Sequence, residues 1–509
     1  EVVLEFMYQT IHNQGELDKI LNKNILVEPD TDKILNFSGL VKLRRLKFGD
    51  NFIKNVAGLS ELASLEQLRF GFNFNHELED LSKLKKLRVL EFGFQFNQEV
   101  PGLYELTSLE ELRFGHKFEK ELKGISQLKN LRVLEFGENF NKDVPGLSEL
   151  TSLEELRFGR KFNFDKELLN LSKLKNLRVL EFGYEKDVDF AKLPASLEEL
   201  RFGSHCNFDK QLLNLSVLKN LRVLEFGYKF DQDVHVLSNM INLEELRFGS
   251  FFDQKLGNLS ELKNLRVLEF GEDFKEKVPG LSKLTSLEEL RFGFNFNQQL
   301  ENLSELKNLR VLEFGYSFDK EIHGLSKLTS LEELRFGYKF DQELDLSKLK
   351  NLRVLKFGYN FDKEIHGLSE LTSLNELWFR YKFNQELGDM SKLKNLRFLK
   401  FGINFDKEIH GLSELTSLEE LRFGNCLIEI KDNIMIEIIT LAHKKGIKTN
   451  FKNLEENEIR LSKNSREVVI CKLDEKTNFT AEQVLDKARI YLESETDISE
   501  TSKVRFNMN

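Results

Sequence analysis

The sequence predicts an α/β-type repeat solenoid, an array of about 18 coils of ~22 residues with a parallel β-sheet on one face and a Phe-rich core. Two observations carry that prediction. A Leu-x-Phe-Gly tetrad recurs from Gly49 through Gly71, Gly93 and Gly115 to Gly424, and 46 Phe stand against 9 Tyr and 1 Trp. Nearly every glycine step is 22 residues; steps of 24, 20 and 24 fall between Gly159 and Gly227, and one of 21 separates Gly337 from Gly358. Arg380 occupies the one vacant glycine slot.

One unit, Leu109 to Asn130, shows the logic. Leu112, Arg113 and Phe114 alternate inward and outward with the period of a strand. Gly115 then permits a sharp turn or a close backbone approach. Phe118, Leu122, Ile125 and Leu128 return apolar side chains to the interior before Leu131 opens the next strand. A single unit cannot bury this face, so neighbours must stack upon it. Each buried Phe contributes roughly 1.5–3 kcal/mol, so two per coil give an aromatic spine that accounts for the phenylalanine count without a cofactor.

The 509 residues divide into an N-terminal cap (1–36), the solenoid (37–425) and a C-terminal cap or small α/β appendage (426–509). Ile20, Leu21, Ile25 and Leu26 are expected to cover the first open coil. Beyond Gly424 the pattern predicts a helix over 432–445, a strand over 467–472 and a helix over 480–493 opened by a Thr480/Gln483 capping box.

The repeat resembles the leucine-rich class, and within it the FNIP repeat family. Leu193-Pro194-Ala195-Ser196-Leu197-Glu198-Glu199-Leu200-Arg201-Phe202-Gly203 is similar to that family's Leu-Pro-x-Ser-Leu-x-x-Leu-x-Phe-Gly run, and Phe96-Asn97-Gln98-Glu99-Val100-Pro101 to its Phe-Asn-x-x-hydrophobic-Pro core. The resemblance implies a protein-interaction role with no catalytic residues, in a family abundant in giant DNA viruses and social amoebae. Some members carry an F-box ahead of the repeats; residues 1–36 show none, so an adaptor role in ubiquitin transfer does not carry over.

Composition narrows the function classes. A net charge of −9 argues against a phosphate-binding face along the whole molecule, hence against nucleic acid as partner. No apolar run reaches the ~18–20 residues that span a bilayer. Cys206, Cys426 and Cys471 form neither a disulfide framework nor a metal spacing, which suits a reducing compartment. His323, His366 and His410 share one slot in alternate coils, but at ~10 Å apart they do not make a zinc site. Asn-Leu-Ser at Asn170, Asn214, Asn258 and Asn302 follows from the repeat and reads as a by-product of its periodicity, not as a glycosylation signal. No cofactor and no metal are expected, and the chain is read as no enzyme.

Successive coils alternate between Ser-Leu-Glu-Glu-Leu-Arg-Phe-Gly and Asn-Leu-Arg-Val-Leu-Glu-Phe-Gly. The outward residue before the Phe therefore alternates as Glu91, Arg113, Glu135, Arg157, Glu181, Arg201, Glu225, Arg247, a self-neutralising ladder at ~4.8 Å spacing. Departures from it mark candidate binding residues. Lys356 and Lys400 replace the expected Glu, Trp378 the expected Arg, Phe398 the usual Val and Arg380 the glycine. One residue past the glycine slot stand Tyr316, Tyr338, Tyr359 and Tyr381. Exposed Trp, Tyr and Arg dominate interface energetics. The sequence thus points to a non-enzymatic scaffold that binds a protein partner, in the cytoplasm of a host cell or viral factory. The alternative is a virion-associated structural protein of a giant DNA virus, assembling with itself or with capsid components.

Overall fold

The computed structural model describes residues 35–162, 170–183, 189–203, 215–402 and most of 404–429, with the strands Gln9–Ile11, Ile25–Val27, Lys448–Asn450, Glu458–Lys463 and Arg466–Lys472. It comprises two compact units, Glu1–Gly257 and Asn258–Asn509. Both are parallel β-solenoids built from the predicted repeat. Among the described residues the first carries ten coil strands, from Arg45–Phe48 to Glu245–Arg247, and the second eight, from Val267–Glu269 to Glu420–Phe423.

Pairing is parallel and in register from coil to coil. In the first unit Val89, Leu90 and Glu91 lie opposite Glu111, Leu112 and Arg113, which lie opposite Val133, Leu134 and Glu135. In the second, Val354, Leu355 and Lys356 lie opposite Glu376, Leu377 and Trp378. The central leucines are fully buried and the flanking residues, Val89 apart, half-buried, the period of two the sequence demanded. Many coils return through one 3-10 turn, such as Leu103–Glu105 and Ile125–Gln127, and no α-helix occurs among the described residues.

The phenylalanines form two columns in each unit. In the first, the Phe before the glycine stacks on its successor, Phe92 to Phe114 at 5.6 Å and Phe114 to Phe136 at 6.0 Å between centroids. The second column runs beside it, Phe96 to Phe118 at 6.3 Å and Phe118 to Phe140 at 6.1 Å. Within a coil the two rings are closer still, 4.0 Å for Phe114 and Phe118. The second unit repeats the arrangement, with Phe292 to Phe314 at 5.6 Å and Phe296 to Phe318 at 6.0 Å.

The glycine slot is explained by close approach, not by a left-handed turn. A Cβ on Gly115 would stand 1.8 Å from the Gly93 carbonyl oxygen, and one on Gly315 would stand 2.0 Å from that of Gly293. A second glycine, just ahead of the 3-10 turn, does need positive φ: Gly102 has φ 76° and Gly324 φ 85°.

Backbone-directed side chains explain other repeat positions. The Asn or Asp after the second Phe accepts the backbone N–H of its counterpart one coil on, as Asn75 does from Asn97 (2.8 Å) and Asp341 from Asp362 (2.9 Å). Asn258 and Asn302 of the Asn-Leu-Ser runs accept from Ser260 and Ser304 N–H at 2.9 Å, so these amides serve a turn. His323, His366 and His410 contribute a carbonyl that accepts from the preceding coil, the same role Pro101 and Pro279 fill, and their side chains are exposed.

Near the ends, Ile25–Val27 pairs in parallel with Gln9–Ile11 and with the Leu46–Phe48 stretch. Cys426–Glu429 pairs antiparallel with Glu420–Phe423, which ends the parallel run. The strand expected over 467–472 is present as Arg466–Lys472, in an antiparallel three-stranded sheet with Glu458–Lys463 and Lys448–Asn450. Ile20, Leu21, Cys206, Asn214 and the helices expected over 432–445 and 480–493 lie outside the described residues.

Gly115→Ala forces two backbones apart and is expected to cost more than ~2 kcal/mol in denaturant unfolding. Gly257→Ala, whose Cβ would meet nothing nearer than 3.4 Å, should cost less than ~0.5 kcal/mol.

Candidate functional site

Each strand turns two residues outward, and a third outward position lies just ahead of it. In the first unit these positions carry two interlocked charge ladders. Arg157 and Arg201 are each held by the Glu two residues earlier in their own strand, Glu155 at 2.6 Å and Glu199 at 2.5 Å. They also reach the next coil, Glu181 at 3.7 Å and Glu225 at 3.6 Å. Arg113 does the same with Glu111 and Glu135. Burial raises the Glu181 pKa above the ordinary carboxylate value, against the opposing pull of Arg157 and Arg201.

The second ladder escaped the sequence reading. The residue preceding each strand alternates between Arg and Glu, and each Arg grips the Glu one coil on: Arg88 to Glu110 (2.7 Å), Arg132 to Glu154 (2.8 Å), Arg178 to Glu198 (2.8 Å). Hydrogen bonding to the guanidinium holds Glu110, Glu154 and Glu198 below the ordinary carboxylate range. The signal was visible in the alternation of Leu-Arg-Val with Leu-Glu-Glu.

In the second unit both ladders run regularly through Arg310–Glu332 and Arg291–Glu313; the row of Arg291 first departs at Lys356, and both rows lack their expected residue at the strand Glu376–Trp378. Asn375 stands where the forward ladder needs Glu, so Arg353 turns back to Glu332 at 3.9 Å. Trp378 stands where the other ladder needs Arg. The register places Lys356, Trp378, Lys400 and Arg422 side by side on four neighbouring strands, a stretch of that row without a carboxylate.

Lys356 is neutralised by Glu376 at 2.7 Å and lies 3.7 Å from the Trp378 ring centroid. Lys400 approaches the same ring at 5.6 Å, so the indole lies between two ammonium groups. Where the strands of Arg291 and Arg335 carry a glutamate two residues before the cation, that of Lys400 carries Phe398, itself 5.2 Å from the Arg397 guanidinium carbon. Among the described residues Lys400 has no carboxylate within ion-pair distance, and neither has exposed Arg380. Burial, then the charges of Arg380 and Arg422, hold the Lys400 ammonium below the ordinary lysine range.

Tyr316, Tyr338, Tyr359 and Tyr381 form a face-to-face stack at 4.6, 4.6 and 4.5 Å, extended at its start by Phe294 at 4.4 Å from Tyr316. The structure therefore gathers the candidate residues into two strips of one unit: the Lys356–Trp378–Lys400 row with Phe398 on its strand, and the tyrosine stack. Arg380 stands on the two-residue link between them, after Phe379 and before Tyr381. Among the described residues no group of three or more His, Cys, Asp or Glu is placed to hold a metal ion, and no helix is long and apolar enough to cross a membrane.

No protein-family model and no curated protein sequence matches the chain. Solved structures do. CroV588, described as a novel circular LRR protein, aligns over 79% of this chain and 69% of its own at 25% identity and a TM-score of 0.52. The fold is that of a leucine-rich-repeat solenoid. Shallower likenesses within the leucine-rich-repeat fold include a protein of Leptospira interrogans (18% identity, 78% of this chain and 94% of that one, TM-score 0.46). The TLR13–ssRNA13 complex is another (18% identity, 80% and 74%, TM-score 0.48).

Because the Lys400 pKa is lower in the folded than in the unfolded chain, its charge is a penalty in full below the folded value. The penalty is relieved as pH rises towards the ordinary lysine range. Lys400→Met is accordingly expected to leave the melting temperature unchanged or slightly raised near neutral pH. Arg113→Met, which strands two glutamates, should cost about 1 kcal/mol by the same measurement.

Proposed function

We propose that the protein is a non-enzymatic interaction scaffold whose leucine-rich-repeat array, of the FNIP type by its Leu193–Gly203 and Phe96–Pro101 motifs, binds a protein partner through the exposed sheet face around Trp378. The observation that carries this reading is the failure of both charge ladders at one strand. Elsewhere on the described sheet face, arginine after arginine is held by a glutamate, and a face with its charges satisfied offers a partner little. At the Trp378 strand, Asn375, Trp378 and Arg380 depart together from the repeat, and the next strand adds Phe398 and Lys400. Indole, phenyl and guanidinium groups grouped this way are the types that supply binding hot spots. Scaffold use also fits the geometry, since a sheet face of rigid short strands presents side chains with little loss of entropy.

The test is a pull-down with the full chain, read by mass spectrometry. The Trp378→Ala/Lys400→Glu pair should abolish recovery of the partner without lowering the melting temperature. Arg157→Glu, in the intact ladder of the first unit, should leave recovery unchanged. Equal recovery by the Trp378→Ala/Lys400→Glu chain would discard the site.

A further inference from the structure

We propose that the occupant of this face is an acidic segment of a protein, whose carboxylates settle on Arg380, Lys400 and Arg353 while an apolar side chain packs between Phe398 and the edge of Trp378. The proposal rests on the interaction-scaffold reading and specifies its partner.

Charge complementarity is the first argument. In the regular array the arginines of the two rows have glutamate partners, as Arg88 has Glu110 and Arg157 has Glu155. Around Trp378 three such glutamates are lost. Asn375 removes the forward partner of Arg353, whose side chain is 66% exposed, and positions 356 and 400 hold lysine where the row alternation calls for Glu. Arg380 adds a cation in a slot that is otherwise glycine. Of the carboxylates that remain beside the row, Glu376 is taken by Lys356 and Glu420 by Arg422. Arg380 and Lys400 are left without a carboxylate among the described residues, and like charge already presses on Lys400 from both Arg380 and Arg422. An incoming carboxylate relieves that repulsion, which a neutral or basic segment does not.

The aromatic geometry selects between polyanions. A single-stranded nucleic acid gains its affinity by laying bases on free aromatic faces. Here the faces between neighbouring rings are occupied. Each tyrosine of the stack covers its neighbour at 4.5 or 4.6 Å, and the Trp378 ring has Lys356 at 3.7 Å and Lys400 at 5.6 Å. What remains available is ring edges, hydroxyls and the half-buried Phe398, which suit side chains better than bases. The chain's net charge of −9 also opposes a long polyphosphate. A short acidic segment needs only the local patch.

Trp378 is the only tryptophan in the sequence, so its fluorescence reports on this site alone. The full chain is titrated with a glutamate-rich peptide bearing one leucine, with a lysine-rich peptide of equal length, and with an oligouridine RNA. The acidic peptide should change the emission saturably, with an affinity that falls several-fold as salt rises from low to physiological strength. Arg380→Glu combined with Lys400→Glu should weaken it at least about tenfold while the melting temperature holds. Replacing the leucine of the peptide by serine should weaken it by less than the charge reversal does. A response to the lysine-rich peptide of equal strength, a preference for the RNA, or indifference to the double charge reversal would each overturn the proposal. If the pull-down partner still requires Trp378 while acidic peptides leave its emission unchanged, the acidic-segment inference falls and the scaffold reading stands. If capture does not require Trp378 at all, the scaffold reading falls first.

Discussion

Two polypeptide backbones lie so close at the glycines of the Leu-x-Phe-Gly turn that even a methyl group finds no room there, Arg380 being the one non-glycine in that slot, and the rest of each unit follows from that separation. With a Gly carbonyl 1.8 to 2.0 Å from where the next coil's Cβ would be, as at Gly115 and Gly315, successive coils must superpose with little freedom to shift. Superposition sets the strand register, and the register sets the columns. Phenylalanines stack at about 5–6 Å, leucines fill the interval, and the Asx side chains reach the backbone of their own counterparts one coil on. An aromatic side chain suits such a column because offset rings tolerate the spacing of parallel strands and still exclude water. The same constraint makes every outward position a row, so a substitution in one coil is read against its neighbours above and below.

That geometry also explains what the sequence did and did not disclose. Strand positions, the glycine tetrad and the inward phenylalanines were legible because they recur at a fixed interval and answer to one period. The alternating Glu91–Arg113–Glu135 row was legible for the same reason. The second row, Arg88 with Glu110 and onward, used an equally regular signal at a position one would assign to the approach to the strand. Its bidentate geometry appears only when the coils are stacked. Arg353 and Asn375 therefore went unnoticed, although they belong with Trp378. The choice at Gly115 between tight turn and close approach also required coordinates, since both call for the same residue. Asn258 and Asn302 show the converse: a pattern with a known chemical meaning turned out to be spent on a turn.

The functional reading turns on a contrast between satisfied and unsatisfied charge. Arg157 and Arg201 are each clasped by two glutamates, an arrangement that stabilises the sheet and presents a partner with a surface already solvated and paired. Lys400 is the opposite case, a cation that itself replaces the expected glutamate, set beside two other cations and against an indole, with Phe398 in the usual valine position of its strand. A chain gains no stability from that arrangement, and positions that cost stability without structural return are where function is sought. The tyrosine stack alongside has a clear structural role in ring-on-ring contact, and it leaves a rigid rim whose hydroxyls need no reordering on binding.

The claim beneath all of this is that equivalent side chains interact coil upon coil and no further. Double-mutant cycles in the Phe96, Phe118 and Phe140 column measure it directly, using Leu substitutions and denaturant unfolding. Phe96 and Phe118, at 6.3 Å, should couple by about 0.5–1.5 kcal/mol, and Phe96 and Phe140, two coils apart, by less than ~0.3 kcal/mol. Equal coupling for the two pairs, or none for the adjacent one, would contradict the stacked-column account.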